Sequence, residues 1–198
     1  MPDIDPAAIR DAVRKKYVEV AQSAEGKFVY ATGRRGALTL GYDPAINARL
    51  PDEALASFCS VGNPFALGPI RSGERLLDVG CGAGFDLIVA NRLVGEAATV
   101  RGIDMTPQMV ERARENPQRA GVVNAEVELS GAEAIPYRDA SFDVVISNGV
   151  INLSPAKEEV FKKIHRVLRP GGRLQFADIV VNEALPADVA NSLEAWSQ

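Results

Sequence analysis

The sequence predicts a doubly wound α/β fold, a parallel sheet with helices on both faces, and three observations carry that prediction. An apolar run, Arg75 to Val79, breaks into glycines at alternate positions, Gly80, Gly82 and Gly84, and resumes as the helical pattern Asp86 to Leu93. Further on, short apolar segments alternate with amphipathic ones, the order that strand-helix-strand units require. The run Val144-Val145-Ile146 has no polar residue within it, as a strand buried on both faces should read.

Taken in order, Pro6 to Ala24 is helical by pattern. Asp5 can cap it, Pro6 suits its first turn, and Ile9, Val13, Tyr17 and Val20 recur every three or four residues. Its other face carries Arg10, Arg14, Lys15 and Lys16. Two readings stand: an amphipathic helix packed on the domain with a solvated basic face, or a lid with Tyr17 turned toward a site. A glycine-punctuated loop (Gly33, Gly36, Gly41) leads to a short helix, Pro51 to Phe58, and to the turn Gly62-Asn63-Pro64. Strand one is Arg75 to Gly80, strand two Thr99 to Asp104, strand three Ala125 to Leu129, strand four Phe142 to Asn148 and strand five Arg173 to Val181. Thr106 and Pro107 should open a helix over Gln108 to Ala120, and a helix from Pro155 to Leu168 should stop at Arg169-Pro170-Gly171-Gly172. Right-handed crossovers give the strand order 3-2-1-4-5, with a ligand crevice beyond the carboxyl ends of strands one and four. Residues 1–70 are then an N-terminal helical extension or lid, and residues 71–198 the α/β domain.

The glycine loop points to a nucleotide-like ligand. Gly80 permits the turn, Gly82 lets a ligand lie against bare backbone, and Gly84 lets the helix pack close to the strand. A dinucleotide fingerprint would place its third glycine where this chain has Phe85, and no lysine follows as a phosphate loop requires. Asp104 ends the second strand about twenty residues past the loop, where a carboxylate accepts hydrogen bonds from both ribose hydroxyls. An adenosyl ribose without a pyrophosphate describes S-adenosylmethionine. Met105 can lay its thioether on an adenine face. The Ala132 N–H and the Glu133 carboxylate suit the adenine edge, an exposed loop acid being the other reading of Glu133. Asp78 either orients the loop through backbone N–H groups or attracts the cofactor's cationic end. Asn148 closes the set after strand four. Cys81 fills space under the cofactor, since a nucleophile needs a base and none is near. His165, the only histidine, reads as a surface residue. No side chain is assigned a catalytic role, and no metal site is expected.

A chain of 198 residues with 46% hydrophobic content builds one core. A net charge of −4 with scattered basic residues excludes nucleic acid as an expected partner. Cys59 and Cys81 form no paired motif, which fits a reducing, cytoplasmic setting. Met1 to Pro6 lacks the basic-then-apolar pattern of a leader, and no apolar run approaches membrane-spanning length.

Asp78 to Gly84, Asp104, Gly131-Ala132-Glu133, Asp143 to Asn148 and Leu168 to Gly172 together resemble the class I S-adenosylmethionine-dependent methyltransferases. That resemblance spans about Arg75 to Val181 and implies a Rossmann-like methyltransferase domain, with S-adenosylmethionine as cofactor. More narrowly, Gly102 to Met109, Ser147 to Pro155 and Ser60 to Pro64 resemble the arsenite methyltransferase branch. Members of that branch bind arsenite with thiolates, one just before the Gly-Asn-Pro turn and one directly after the Ser-Asn of strand four. Those positions are Val61 and Gly149 here, with Cys59 two residues off. Valine and glycine do not hold a soft three-coordinate ion. The expected activity is therefore methyl transfer to a small molecule other than arsenite, the alternative being a catalytically silent cofactor-binding subunit that supports a partner protein. Gly149 is expected to open room beside the methyl for a bulkier acceptor. Branch members also continue well past Trp196. With a shortened C-terminus, Ala187 to Trp196 would make one helix and strand five would be an exposed edge, which a second copy, another polypeptide or the N-terminal helices should cover.

Overall fold

The computed structural model describes residues 4–183, 189 and 192–196. Its strands are β1 (Leu76–Val79), β2 (Val100–Asp104), β3 (Ala125–Leu129), β4 (Phe142–Asn148) and β5 (Leu168–Ala177). All pairings are parallel, and the order is β3-β2-β1-β4-β5 as the crossovers predict.

Every residue of β1 is buried, because helices cover both faces. Leu77 and Val79 pack with Ile103 and Val145 against Val160, Ile164 and Val167 of α7 (Lys157–Val167). Leu76 packs with Val144 and Ile146 against Ala90 and Val94 of α5 (Phe85–Val94). On the β2 side, α6 (Pro107–Arg119) sets Val110 and Ala113 against Val127 and Leu87.

The N-terminal part departs from its sequence reading in detail. Helix α1 (Pro6–Val20) is capped as expected, the Ala7 N–H donating to Asp5 Oδ1 at 3.0 Å. It ends short of Ala24, whose N–H donates instead to the Ala56 carbonyl. The glycine-punctuated stretch holds two helices, α2 (Gly33–Thr39) and α3 (Pro44–Ala48). Asp43 caps α3 at 2.7 Å with Pro44 in its first turn, the same signature that marks α1. Helix α4 (Asp52–Leu55) is shorter than the predicted Pro51 to Phe58.

Strand five is displaced from Arg173–Val181 to Leu168–Ala177. Leu168 pairs with Phe142 but Arg173 pairs with Val144, so Arg169-Pro170-Gly171-Gly172 lies in a bulge within the strand rather than in a turn before it. Gly171, at φ +78°, supplies the bend. The strand stops at Ala177 because Asp178 turns to accept the N–H groups of Asn152 and Ile179 at 3.0 and 2.8 Å. Of the helix expected over Ala187 to Trp196, the last turn, α8 (Leu193–Trp196), forms; its earlier part lies largely outside the described residues. No helix among the described residues is long and apolar enough to cross a membrane.

Candidate functional site

A cleft opens beyond the carboxyl ends of β1, β2 and β4, with about 1050 Å³ of open space counted to its mouth. Asp78, Gly80, Cys81, Gly82, Asp104, Met105, Ala132, Glu133 and Asn148 all line it. Gly84 does not. At φ +87°, a Cβ on it would meet Ala113 Cα at 3.0 Å, so this glycine lets the loop approach α6, not the strand. Gly80 has φ +75°, and a Cβ there would sit 2.3 Å from Val150 Cγ2. Gly82, at φ +51°, has open space where a side chain would be, leaving bare backbone on the cleft wall.

Asp104 organises this loop. Its Oδ2 accepts the Gly82 N–H at 3.0 Å and its Oδ1 the Thr106 N–H at 2.8 Å. Burial raises the Asp104 pKa while these donors hold it down. Thr106 stands at the N-cap position of α6 without a capping side-chain bond. Asp78, the other candidate for orienting the loop, is buried and its Oδ2 has no hydrogen-bond partner. Burial first, then the charge of Asp86, push its carboxyl well above the usual range.

Asp86, in the first turn of α5, is a site residue that sequence reasoning passed over. Its Oδ1 accepts the Tyr42 hydroxyl at 2.8 Å and its Oδ2 the Asn148 Nδ2 at 3.2 Å. Asn148 is fully engaged besides: Nδ2 donates to the Gly62 carbonyl at 2.8 Å and to Tyr42 Oη at 3.0 Å, and Oδ1 accepts from Gly62 and Val61 N–H at 3.1 and 3.3 Å. Its carboxamide thus fastens the turn at Val61-Gly62 to the end of β4, although its position borders the cleft. Glu133 is likewise no free loop acid, since Oε1 accepts the Ser154 hydroxyl at 2.6 Å.

Helix α1 packs on the domain with one side along the cleft. Ile9 and Val20 are buried, while Arg10, Val13 and Tyr17 line the cleft. Tyr17 and Cys59 pack against the same buried cluster, and the Cys59 thiol is pushed up to about 12, first by burial and then by the charge of Asp104. Burial also raises Cys81, so neither thiol is an activated nucleophile. Positions 61 and 149 adjoin as the resemblance implies, but the room expected at Gly149 is taken. A Cβ there, at φ +70°, would lie 3.3 Å from Val61 Cγ2. Val61 fills the space. His165 is exposed on α7, as read from the sequence. Among the described residues no group of three His, Cys, Asp or Glu side chains is placed to hold a metal ion.

Such a sheet, glycine loop and acid after β2 define a nucleotide-site α/β domain, and comparison with known proteins places it further. Residues 70–198 match the family described as methyltransferase domain. The chain is 40% identical to an arsenite methyltransferase from Halobacterium salinarum, over 94% of this chain and 51% of that protein. It is also 40% identical to a 27-O-demethylrifamycin SV methyltransferase from Amycolatopsis mediterranei, over 57% of this chain and 41% of that one. An arsenic(III) S-adenosylmethionine methyltransferase from Chlamydomonas reinhardtii superposes with a TM-score of 0.63 at 39% identity, over 74% of this chain and 52% of its own. The chain spans about half the length of the arsenite methyltransferases it matches. It belongs to the methyltransferase domain family. Within that family it is a class I member of the S-adenosylmethionine-dependent kind, with arsenite methyltransferases among its relatives.

Proposed function

We propose that this protein binds S-adenosylmethionine in the cleft and transfers its methyl group to a small organic acceptor rather than to arsenite. The observation that carries the acceptor half is the pair Val61 and Gly149, an apolar contact at the positions where the resemblance calls for two thiolates. Cys59 does not replace them, since burial holds its thiol far above a pKa at which it would ionise.

The residues present fit the cofactor. Gly82 offers a wall without a side chain, Asp104 keeps unused lone pairs beyond its two backbone bonds, and Asp78 Oδ2 is a buried acceptor in want of a cationic donor. Asp104 would take the ribose hydroxyls, Met105 and Ala132 the adenine, Glu133 its amino edge, and Asp78 the amino-acid ammonium. When bound, the cofactor supplies an already electrophilic methyl group on a sulfonium. The chain's own work is then positional. Tyr17 and Val13 of α1 cover the cleft and exclude water, residues 1–70 serving as its lid. Asn148 keeps the Val61 turn rigid, so an acceptor is held in line at attack distance. No histidine-acid pair lines the cleft among the described residues, which favours acceptors that are nucleophilic without help: a thiolate, an amine or a stabilised carbanion.

Incubation with methyl-labelled S-adenosylmethionine and panels of organic acceptors and arsenite tests this. Label should pass to an organic acceptor. Turnover with thiol-bound arsenite alone would refute the acceptor half.

A further inference from the structure

Asp78, Asp86 and Asp104 share the cleft, and among the described residues no Lys or Arg is bonded to any of them. Asp78 stands out among them. It is 2% exposed, and its Oδ2 lacks any donor. A buried carboxylate without a partner either stays protonated or waits for a cation. We propose that Asp78 carries a proton in the free protein and exchanges it for the ammonium group of the bound cofactor, so that cofactor binding releases a proton to solvent. The inference rests on the function proposed above and adds to it the proton that the ligand's ammonium displaces.

The surroundings support the exchange. Facing Asp78 are Asp86 from α5, Asp104 from the end of β2 and the Cys81 thiol from the loop. Behind Asp86 stand the Tyr42 hydroxyl and the Asn148 carboxamide, both neutral donors that favour its charged form. Asp86 is pushed up to about 6 by burial against those bonds, whereas nothing comparable relieves Asp78. Two such acids do not both ionise readily in one buried site, so near neutral pH the shared proton resides on Asp78. On binding, the O–H bond of the Asp78 carboxyl breaks, its proton passes to water, and the carboxylate accepts an N–H of the ligand's ammonium. No other covalent bond changes.

Titration calorimetry at pH 7 with S-adenosylhomocysteine, run in phosphate and again in Tris, reads the protons released from the difference in heat. About one proton per bound ligand is expected. 5′-Methylthioadenosine has the same adenosyl group without the ammonium, and should bind with no buffer-dependent heat. The dissociation constant of S-adenosylhomocysteine, but not of methylthioadenosine, should rise about tenfold per unit as the pH falls from 7.5 to 6.5. If both ligands bind with the same heat in either buffer, the exchange is wrong and the cofactor site stands. If neither binds, the proposed function and the exchange both fail.

Discussion

Asp143, near the amino end of β4, and Asp78, near the carboxyl end of β1, are buried carboxylates on central strands of one sheet. Asp143 accepts the Arg75 N–H at 2.7 Å and pairs with Arg169 Nε at 2.5 Å. Beside it Glu74 is held by both terminal nitrogens of Arg173, at 2.7 and 2.8 Å. Asp78 has no such partner, and its neighbours Asp86 and Asp104 are acids too. At the amino ends of the strands the buried Asp143 and Glu74 are each met by an opposite charge from the same chain, which is what stability alone would select. The carboxyl ends depart from that rule at Asp78, and such departures concentrate where a ligand completes the structure.

The contrast can be broken in several ways. The largest effect should come from Gly80→Ala, which puts a methyl against Val150 at a left-handed φ. Overpacking and backbone strain together should cost about 2–4 kcal/mol, read as a lower melting temperature and loss of S-adenosylhomocysteine binding. Next, Asp143→Asn and Asp78→Asn should move stability in opposite directions. Asp143→Asn leaves Arg75 and Arg169 without their carboxylate and should destabilise by about 1–3 kcal/mol. Asp78 is different because its folded pKa lies above the unfolded value of about 3.9. Its acid form therefore favours folding, fully below that value, and the benefit is lost as pH rises through the folded pKa. Asp78→Asn should thus melt higher than the parent by a margin that grows with pH, while binding the cofactor at least tenfold more weakly. Melting curves between pH 5 and 9 check both.

A third prediction sharpens the acceptor wall. A Cβ at position 149 would lie 3.9 Å from Val61 Cβ, within the range of a disulfide. The pair Val61→Cys with Gly149→Cys should cross-link on mild oxidation, hiding two thiols from titration, and when reduced should hold arsenite. Two thiols that stay titratable under oxidant would mean that the turn and the end of β4 do not meet. The smallest effect concerns Cys59. With its thiol pushed up to about 12, it should alkylate far more slowly at pH 8 than a free cysteine, and Cys59→Ser should change melting only slightly.

Local signals explain how much of this the sequence disclosed. The strand order, the glycine loop and Asp104 were legible because each depends on residues close together or on a rule of connection. The α3 start was legible in principle, in Asp43-Pro44, but the glycines that precede it, Gly33, Gly36 and Gly41, disguised it. The bulge that moves β5 back to Leu168 was not, since Pro170-Gly171-Gly172 reads equally as a turn. The Tyr42–Asp86–Asn148 network joins residues 62 and 106 positions apart, and no spacing within the chain foretells such a contact. For the same reason the sequence does not disclose that the Asn148 carboxamide fastens the Val61-Gly62 turn to the end of β4.

The most direct test of the central claim is a crystal structure of the protein with S-adenosylhomocysteine. The account predicts the ribose hydroxyls on Asp104, the adenine between Met105 and Ala132, and the ammonium on Asp78. A ligand bound elsewhere, or one in the cleft with Asp78 still unpartnered, would contradict it.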